Sequence, residues 1–198
     1  PFARQIVHGQ LADILGQRAK LLQTLLTAMP VDAAGPGGEA DPEARRRFVL
    51  FLHARSQAVA GEVADLLALL GPVRRFADVG SGAGTYAHAV LRRFPEAHAV
   101  LVDRPNAADT VAELAEQEGL AARIEFRPVD LTAAGDYGAG FDAILMSNLV
   151  HCHGVDACRH MVGEAARRLA PGGRLLVKDI DTADDRSGPD GALRFGLT

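Results

Sequence analysis

A glycine-rich turn between an apolar strand and an apolar helical pattern carries the clearest chemical meaning in the sequence. In the segment Phe76-Ala-Asp-Val-Gly-Ser-Gly-Ala-Gly-Thr85, Gly80, Gly82 and Gly84 alternate with other residues directly after the strand. Such glycines let the backbone approach a ligand closely, because a Cβ atom would collide with it. A strand, a glycine turn and a helix start together predict a nucleotide-type site. The spacing is not the G-x-G-x-x-G of dinucleotide enzymes, and no Lys-Ser/Thr pair follows as in a phosphate-binding P-loop.

Three aspartates at predicted strand ends favour an adenosine ligand with a cationic end. Asp78 ends the first strand among the glycines, where a carboxylate suits a cation better than a pyrophosphate. Asp103 lies 23 residues beyond Gly80, about the distance at which an acidic residue accepts hydrogen bonds from ribose hydroxyls. Asp130, followed by Leu131, suits the amino group of adenine. The alternatives are a helix cap at Asp103 and a simple turn at Asp130. S-adenosylmethionine carries an ammonium and a sulfonium group and is therefore the leading ligand candidate.

A histidine-rich segment follows the strand predicted at residues 141–147. Residues 148–154 read Asn-Leu-Val-His-Cys-His-Gly, which places His151 where a substrate would reach the methyl group. Histidine titrates near neutrality and suits a general base. Five potential metal ligands crowd ten residues, but their spacing does not match the paired ligands of zinc sites, so we predict no metal. They are His151, Cys152, His153, Cys158 and His160.

Alternating short apolar strands and amphipathic helices must position these residues. Strands are predicted at residues 74–79, 98–103, 123–129, 141–147 and 173–180, and helices at 84–94, 106–118 and 155–170. This alternation predicts an α/β fold with a Rossmann-like, doubly wound parallel sheet and helices on both faces. Ligands of such sheets bind at the carboxyl ends of the strands, near the switch in strand order.

An N-terminal helical region is predicted to precede the sheet. Apolar residues recur at helical spacing over residues 2–29, and a second helix runs from Pro42 to Leu70 after a Pro/Gly-rich connection. We therefore predict a helical region over residues 1–72 and a ligand-binding domain over residues 73–198.

The composition narrows the choice of partners. Apolar residues make up 48% of the 198 residues, charged residues make up 23%, and the formal net charge is -4. The negative charge argues against a nucleic-acid partner. Two cysteines give no disulfide framework, which favours a cytoplasmic protein. No apolar run is long enough to span a membrane, so we predict no membrane partner.

Several segments in a fixed order resemble the class I S-adenosylmethionine-dependent methyltransferases. They are Asp78-Val-Gly-Ser-Gly-Ala-Gly84, Asp103-Arg-Pro, Asp130-Leu, Leu149-Val-His151 and Leu169-Ala-Pro-Gly-Gly-Arg-Leu-Leu-Val177. More narrowly, the chain resembles the small-molecule O-methyltransferases of the plant caffeate type and their bacterial natural-product relatives. The resemblance covers residues 74–181 and, more loosely, residues 43–72.

The resemblance implies a set of cofactor contacts. Gly80, Gly82 and Gly84 would bound the methionine and ribose parts of S-adenosylmethionine. Asp103 would hold the ribose, and Asp130 with Leu131 the adenine. On the helix before the glycine turn, Ser56 would lie at the cofactor carboxylate.

Further positions of the resemblance concern the substrate and the chemistry. Phe48 and Leu52 would form the substrate wall, with packing in a helix core as the alternative. His151 would take the proton of the acceptor, and Asp179 would flank and orient it. Ser147, assigned to the cofactor site, stands where the family often has a lysine.

The chain also departs from the family pattern. Cys152 and His153 replace the Asp-Trp that follows the histidine. The family's C-terminal strand pair and its second acidic residue have no counterpart, and the chain begins at Pro1 without Met. We therefore expect the chain to be a piece of a longer protein.

These inferences predict an enzyme that moves a methyl group from S-adenosylmethionine to a phenolic or enolic hydroxyl of a small molecule. The alternatives are a non-catalytic cofactor-binding module and a methyltransferase with another type of acceptor. The resemblance also implies a homodimer formed through the N-terminal helices. The glycine spacing disfavours a dehydrogenase. The absence of an Asn/Asp-Pro-Pro-aromatic signature at residues 147–150 disfavours a nucleic-acid methyltransferase.

Overall fold

The computed structural model describes residues 42–133 and 135–181. Its contacts divide the chain into two compact units, residues 1–51 with 180–198, and residues 52–179. In the first unit, residues 42–51 begin helix α1 (Pro42–Leu70), with Glu43 in the acidic first turn that a helix dipole favours. The helix predicted over residues 2–29 lies outside the described residues. The division predicted after residue 72 therefore stays a prediction.

The second unit contains a parallel sheet of five strands. The strands are β1 (Arg75–Val79), β2 (His98–Asp103), β3 (Ile124–Pro128), β4 (Phe141–Ser147) and β5 (Leu169–Lys178). Their spatial order is β3-β2-β1-β4-β5, and every neighbouring pair is parallel. The strand order switches direction on the two sides of β1, which is where such sheets bind ligands. The predicted fold class is confirmed.

Helices cover both faces of this sheet. The sheet helices are α2 (Thr85–Arg93), α3 (Ala108–Gln117) and α4 (Val155–Arg168). One buried cluster joins residues of α1, α2 and α3 to alternate strand residues, including Phe76, Leu101 and Leu145. The second cluster joins Met161 and Ala165 of α4 to the opposite strand residues. The alternation of strand side chains between two cores explains why the strands read as continuous apolar runs.

The last strand begins earlier than the sequence pattern predicts. The predicted helix 155–170 ends at Arg168, and β5 starts at Leu169 rather than at residue 173. Pro171 disfavours a helical conformation for the residue before it, so the chain is already extended there. The pairing with β4 shifts between Leu169 and Arg174, which absorbs the Pro-Gly-Gly segment as an irregularity.

The described part of the chain contains no helix that is both long and apolar enough to cross a membrane.

Gly84 allows the glycine turn to enter α2. Its φ angle of 74° lies in the left-handed region, and a Cβ atom built there would lie 2.4 Å from Cδ2 of the buried Leu101. Gly82 has a φ angle of 53°, but nothing lies within 4 Å of its Cβ position. Both glycines therefore adopt a left-handed backbone conformation, but only at Gly84 would a Cβ atom also collide with a neighbouring side chain.

This difference gives a stability test. Gly82→Ala should lower the free energy of unfolding by about 1 kcal/mol, since only the left-handed conformation is strained. Gly84→Ala should lower it by roughly a further 1–3 kcal/mol, because the methyl group also overpacks the core against Leu101. Urea denaturation of both variants measures the difference, and equal losses would show that Leu101 does not confine the turn.

Candidate active site

The glycine turn is held by the end of the neighbouring strand β2. The backbone N–H groups of Gly80 and Ser81 donate to the carbonyl oxygen of Val102, at 2.8 and 3.1 Å. The N–H of Gly82 donates to Oδ2 of Asp103 at 2.7 Å. The turn is thus fixed by hydrogen bonds to the strand that carries the predicted ribose ligand.

Asp103 braces the turn instead of capping a helix. Its Oδ1 accepts the N–H of Arg104 at 2.7 Å, and the short 3₁₀ helix Pro105–Ala107 that follows has no side-chain cap. Burial raises the pKa of this carboxyl group, while the N–H of Gly82 opposes that rise. A carboxylate has about four acceptor positions, so these two bonds leave room for ribose hydroxyls.

Buried polar atoms without partners surround the turn. Oδ2 of Asp78, Oγ of Ser81 and Oγ of Ser147 are buried and have no hydrogen-bond partner among residues 42–133 and 135–181. A buried polar group without a partner costs free energy, so such a group usually meets a ligand or an ordered water. A polar ligand such as the amino-acid part of S-adenosylmethionine would fit these atoms.

Burial also changes the charge of Asp78. Because the side chain is fully enclosed, burial raises the pKa of Asp78 to about 8, although the N–H of Ala87 lowers it in part. The carboxyl group is therefore neutral through much of the physiological range. A cation brought next to it would favour its ionised form.

Asp130 and Leu131 follow β3 as predicted, in different surroundings. The exposed carboxylate of Asp130 accepts the N–H of Thr132 at 2.9 Å and its hydroxyl at 2.7 Å. These two bonds lower the pKa of Asp130. Leu131 packs against the core cluster on the α4 face. The turn interpretation and the adenine interpretation of Asp130 are both compatible with this geometry.

The carboxylate of Asp179 organises the segment that carries His151. Its Oδ2 accepts the N–H groups of Leu149 and Val150 at 3.0 and 2.8 Å, and that of His151 at 3.4 Å. Its Oδ1 lies 2.5 Å from Nδ1 of the His151 ring. Since a carboxylate only accepts, the proton of a neutral ring belongs on Nδ1 and the lone pair on Nε2.

The histidine segment touches the glycine turn. A Cβ atom at Gly80 would lie 2.9 Å from Cδ1 of Leu149, so the absence of a side chain lets Leu149 pack over the turn. This contact brings the His151 segment and the predicted cofactor turn together at the carboxyl ends of β1 and β4.

Three further predicted residues lie on α1. Ser56 is half-buried, and the side chain of Leu52 is 38% exposed. Phe48 belongs to the first compact unit, so its position relative to the sheet is not described. The roles of Ser56 at a cofactor carboxylate and of Leu52 and Phe48 at a substrate wall stay predictions.

The residues that replace the family's Asp-Trp form no metal cluster. Burial and the nearby Arg104 lower the pKa of His153, and burial raises the pKa of Cys152. Cys158 packs beneath the segment, and its Sγ donates to the carbonyl oxygen of Val150 at 3.3 Å. Across the described ranges, no three His, Cys, Asp or Glu side chains are placed to hold one metal ion.

Sequence reasoning missed Asn148 and Lys178. Asn148 has a φ angle of 52°, which is uncommon for a residue other than glycine, and its Oδ1 accepts a hydrogen bond from Nζ of Lys178 at 3.0 Å. The same ammonium group lies 5.8 Å from the centroid of the buried Tyr86 ring. No signal in the sequence alone could have identified Lys178, because its pairing with Ser147 and its contact with Tyr86 are visible only in the fold.

A separate cavity of about 550 Å³ lies between α1 and α2. It is lined in part by His53 and by the buried His88, whose pKa burial lowers to about 4. The partnerless atoms of Asp78 and Ser147 belong to the strand ends and not to this cavity. We therefore locate the candidate active site at the strand ends.

A model of a protein family, described as an O-methyltransferase domain, matches residues 33–194. The chain belongs to the O-methyltransferase domain family. This membership confirms the resemblance that the glycine turn, the strand-end aspartates and the His151 segment indicate.

Individual relatives show how far the similarity extends. The 3-hydroxy-5-methyl-1-naphthoate 3-O-methyltransferase of Streptomyces sahachiroi is 33% identical over 130 residues, 63% of this chain and 36% of that protein. The bacteriochlorophyllide d C-20 methyltransferase of Chlorobaculum tepidum is 32% identical over 123 residues, 62% of this chain and 36% of that protein. The structure of an O-methyltransferase family protein from Burkholderia thailandensis is 27% identical, with a TM-score of 0.85 over 97% of this chain and 58% of that chain. The chain thus spans little more than a third of the length of these two curated relatives.

The buried carboxyl group of Asp78 predicts a pH-dependent stability. An unfolded aspartate has a pKa near 3.9, so the folded state holds this proton more tightly and its advantage disappears as the pH rises from about 4 to 8. Asp78→Asn keeps an acceptor for the N–H of Ala87 and cannot ionise. Relative to the wild type, the variant should gain on the order of a few kcal/mol between pH 5 and pH 8. Urea denaturation at both pH values measures this gain, and parallel losses in the two proteins would contradict it.

Proposed function

We propose that the protein transfers a methyl group from S-adenosylmethionine to a phenolic or enolic hydroxyl of a small molecule. The observation that carries the proposal is the His151–Asp179 pair, packed through Leu149 against Gly80 of the glycine turn. The Streptomyces relative supports it, since its name describes methyl transfer to the 3-oxygen of a hydroxynaphthoate.

The chain's own residues would hold the cofactor at the glycine turn. Asp103 would accept from the ribose hydroxyls, and Asp130 with Leu131 would contact the adenine. Ser56, Ser147 and Asp78 would meet the polar atoms of the methionine part. When bound, S-adenosylmethionine supplies an electrophilic methyl group on its sulfonium.

His151 is proposed as the general base. With its Nδ1 proton donated to Asp179, the ring presents the Nε2 lone pair, which can accept the proton of an acceptor hydroxyl. A phenol has a pKa near 10, so a neutral imidazole is strong enough to assist its ionisation, whereas an aliphatic alcohol needs a far stronger base. This comparison favours a phenolic or enolic acceptor.

Asp179 is proposed as the positioning residue for that base. Its Oδ2 accepts from the backbone of residues 149–151 while Oδ1 holds the ring, so one carboxylate fixes both the segment and the ring orientation. Its negative charge would also stabilise the imidazolium that forms when His151 takes the proton.

A second candidate concerns the type of acceptor. The Chlorobaculum relative is named for methyl transfer to carbon C-20, so an acceptor carbon is the alternative to a hydroxyl. The other alternative, a cofactor-binding module without catalysis, rests on Cys152 and His153 in place of the family's Asp-Trp. It is not favoured, because the similar proteins are named as methyltransferases.

We also propose a cytoplasmic homodimer that associates through the N-terminal helices. The helical spacing of apolar residues over residues 2–29 supports this assembly, because a sheet domain alone cannot bury both faces of such a helix. A monomer mass in solution scattering would refute it.

Substitution of His151 separates catalysis from binding. His151→Gln should lower kcat for a phenolic acceptor roughly 10²- to 10⁴-fold, the usual contribution of a general base, and leave the affinity for S-adenosylhomocysteine unchanged. Methyl transfer from labelled S-adenosylmethionine and calorimetric binding of S-adenosylhomocysteine provide the two readouts. His98→Gln, at the exposed amino end of β2, is the matched control and should change neither.

The outcome distinguishes the three functions. Full turnover by His151→Gln would remove His151 as the base, and no transfer to any hydroxyl by the wild type, with cofactor binding intact, would favour the alternatives.

A further inference from the structure

Lys178 is a partly buried cation at the end of β5, beside the candidate active site. Its Nζ donates to Oδ1 of Asn148 at 3.0 Å and lies 5.8 Å from the centroid of the Tyr86 ring. Within residues 42–133 and 135–181, no carboxylate lies within 4.0 Å of this ammonium group. The ammonium group of a lysine has three N–H donors, and Asn148 accepts from one of them. The other donors and the positive charge can therefore bind an anion.

Two hydroxyl groups without partners share the surroundings of Lys178. Ser147 is the Cα partner of Lys178 in the parallel β4–β5 ladder, so their side chains leave the sheet on the same face. That face is the one covered by α1, α2 and α3, because Leu145 and Leu176, two residues before each, pack into the cluster that contains Tyr86. Oγ of Ser147 and the hydroxyl of Tyr86 are both buried without a hydrogen-bond partner in the described part of the chain.

The ammonium group of Lys178 and the two hydroxyl groups indicate which kind of ligand they could bind. One ammonium group and two hydroxyl donors at neighbouring positions suit a singly charged anion with two acceptor oxygens. A dianion such as phosphate would keep one negative charge uncompensated beside the single ammonium group of Lys178.

We propose that Lys178, with Ser147 and Tyr86, forms a carboxylate-binding subsite of the active site. The inference rests on the proposed function, which supplies two sources of a carboxylate. One is the methionine part of the cofactor, and the other is an acidic methyl acceptor.

A purely structural role for Lys178 makes a different prediction. If Lys178 only holds Asn148 in its left-handed conformation, Asn148→Gly removes that need, since glycine adopts a positive φ without strain. Lys178→Met should then have no further effect in the Asn148→Gly background. The carboxylate subsite predicts that the full effect of Lys178→Met persists there.

The first arm of the test uses cofactor products that differ in the carboxylate. Calorimetry compares S-adenosylhomocysteine with 5′-methylthioadenosine, which lacks the amino-acid part. If the cofactor is the source, Lys178→Met weakens S-adenosylhomocysteine roughly ten- to hundredfold, the effect of losing a charged hydrogen bond, and leaves methylthioadenosine unchanged. Lys178→Arg should restore most of the affinity.

The second arm uses hydroxybenzoates and their methyl esters as acceptors. If the acceptor is the source, Lys178→Met raises KM for the acids by a similar factor, leaves KM for the esters unchanged, and does not alter S-adenosylhomocysteine binding. Arg174→Met, four residues before Lys178 in β5, is the matched control for loss of a cation from the same strand.

The results that would overturn the Lys178 subsite differ from those that would overturn the proposed methyl transfer. Lys178-dependent binding of S-adenosylhomocysteine without methyl transfer to any hydroxyl would contradict the proposed function and support the subsite. Equal binding of S-adenosylhomocysteine by the wild type and Lys178→Met, with no Lys178-dependent preference for acids over esters, would overturn the subsite. So would an effect of Lys178→Met that disappears in the Asn148→Gly background.

Discussion

The carboxylate of Asp179 is the interaction on which the candidate active site depends. It lies just beyond β5 and accepts backbone N–H groups from the segment that leaves β4, so one side chain joins the ends of two neighbouring strands. The same carboxylate meets the His151 ring. With most of its side chain excluded from solvent, its hydrogen bonds compete little with water. The orientation of the candidate base is therefore set by the sheet.

The predicted cofactor turn is held by an equivalent set of hydrogen bonds on the other side of β1. Asp103, at the end of β2, accepts the N–H of Gly82, and the carbonyl of Val102 accepts two more N–H groups from the turn. Leu149 packs against Gly80, so the segment after β4 contacts the glycine turn after β1. The switch in strand order at β1 thus places a braced glycine turn and an oriented histidine next to each other.

The sequence predicts this architecture well because its signals are local. Strand and helix periods, the glycine turn and the aspartates at strand ends are all patterns within a few residues, and the strand order confirms the fold they imply. The early start of β5 is harder to predict from the sequence. Pro171 and the two glycines after it interrupt the apolar strand pattern, whereas the backbone already pairs with β4. The bond from Gly82 to Asp103 and the contact between Leu149 and Gly80 join residues far apart in the chain. The sequence alone did not identify Lys178, because a lysine at a strand end indicates no role until its neighbours Ser147 and Tyr86 are known.

The tautomer of His151 decides whether its ring can act as a general base, because catalysis by Nε2 requires the proton on Nδ1. Nitrogen-15 NMR of the histidine rings, assigned with His151→Gln, distinguishes the two neutral tautomers at alkaline pH. We expect His151 to be protonated on Nδ1, held there by Asp179, and we expect Asp179→Asn to remove this preference. A ring protonated on Nε2, or one that averages between the tautomers in the wild type, would contradict it.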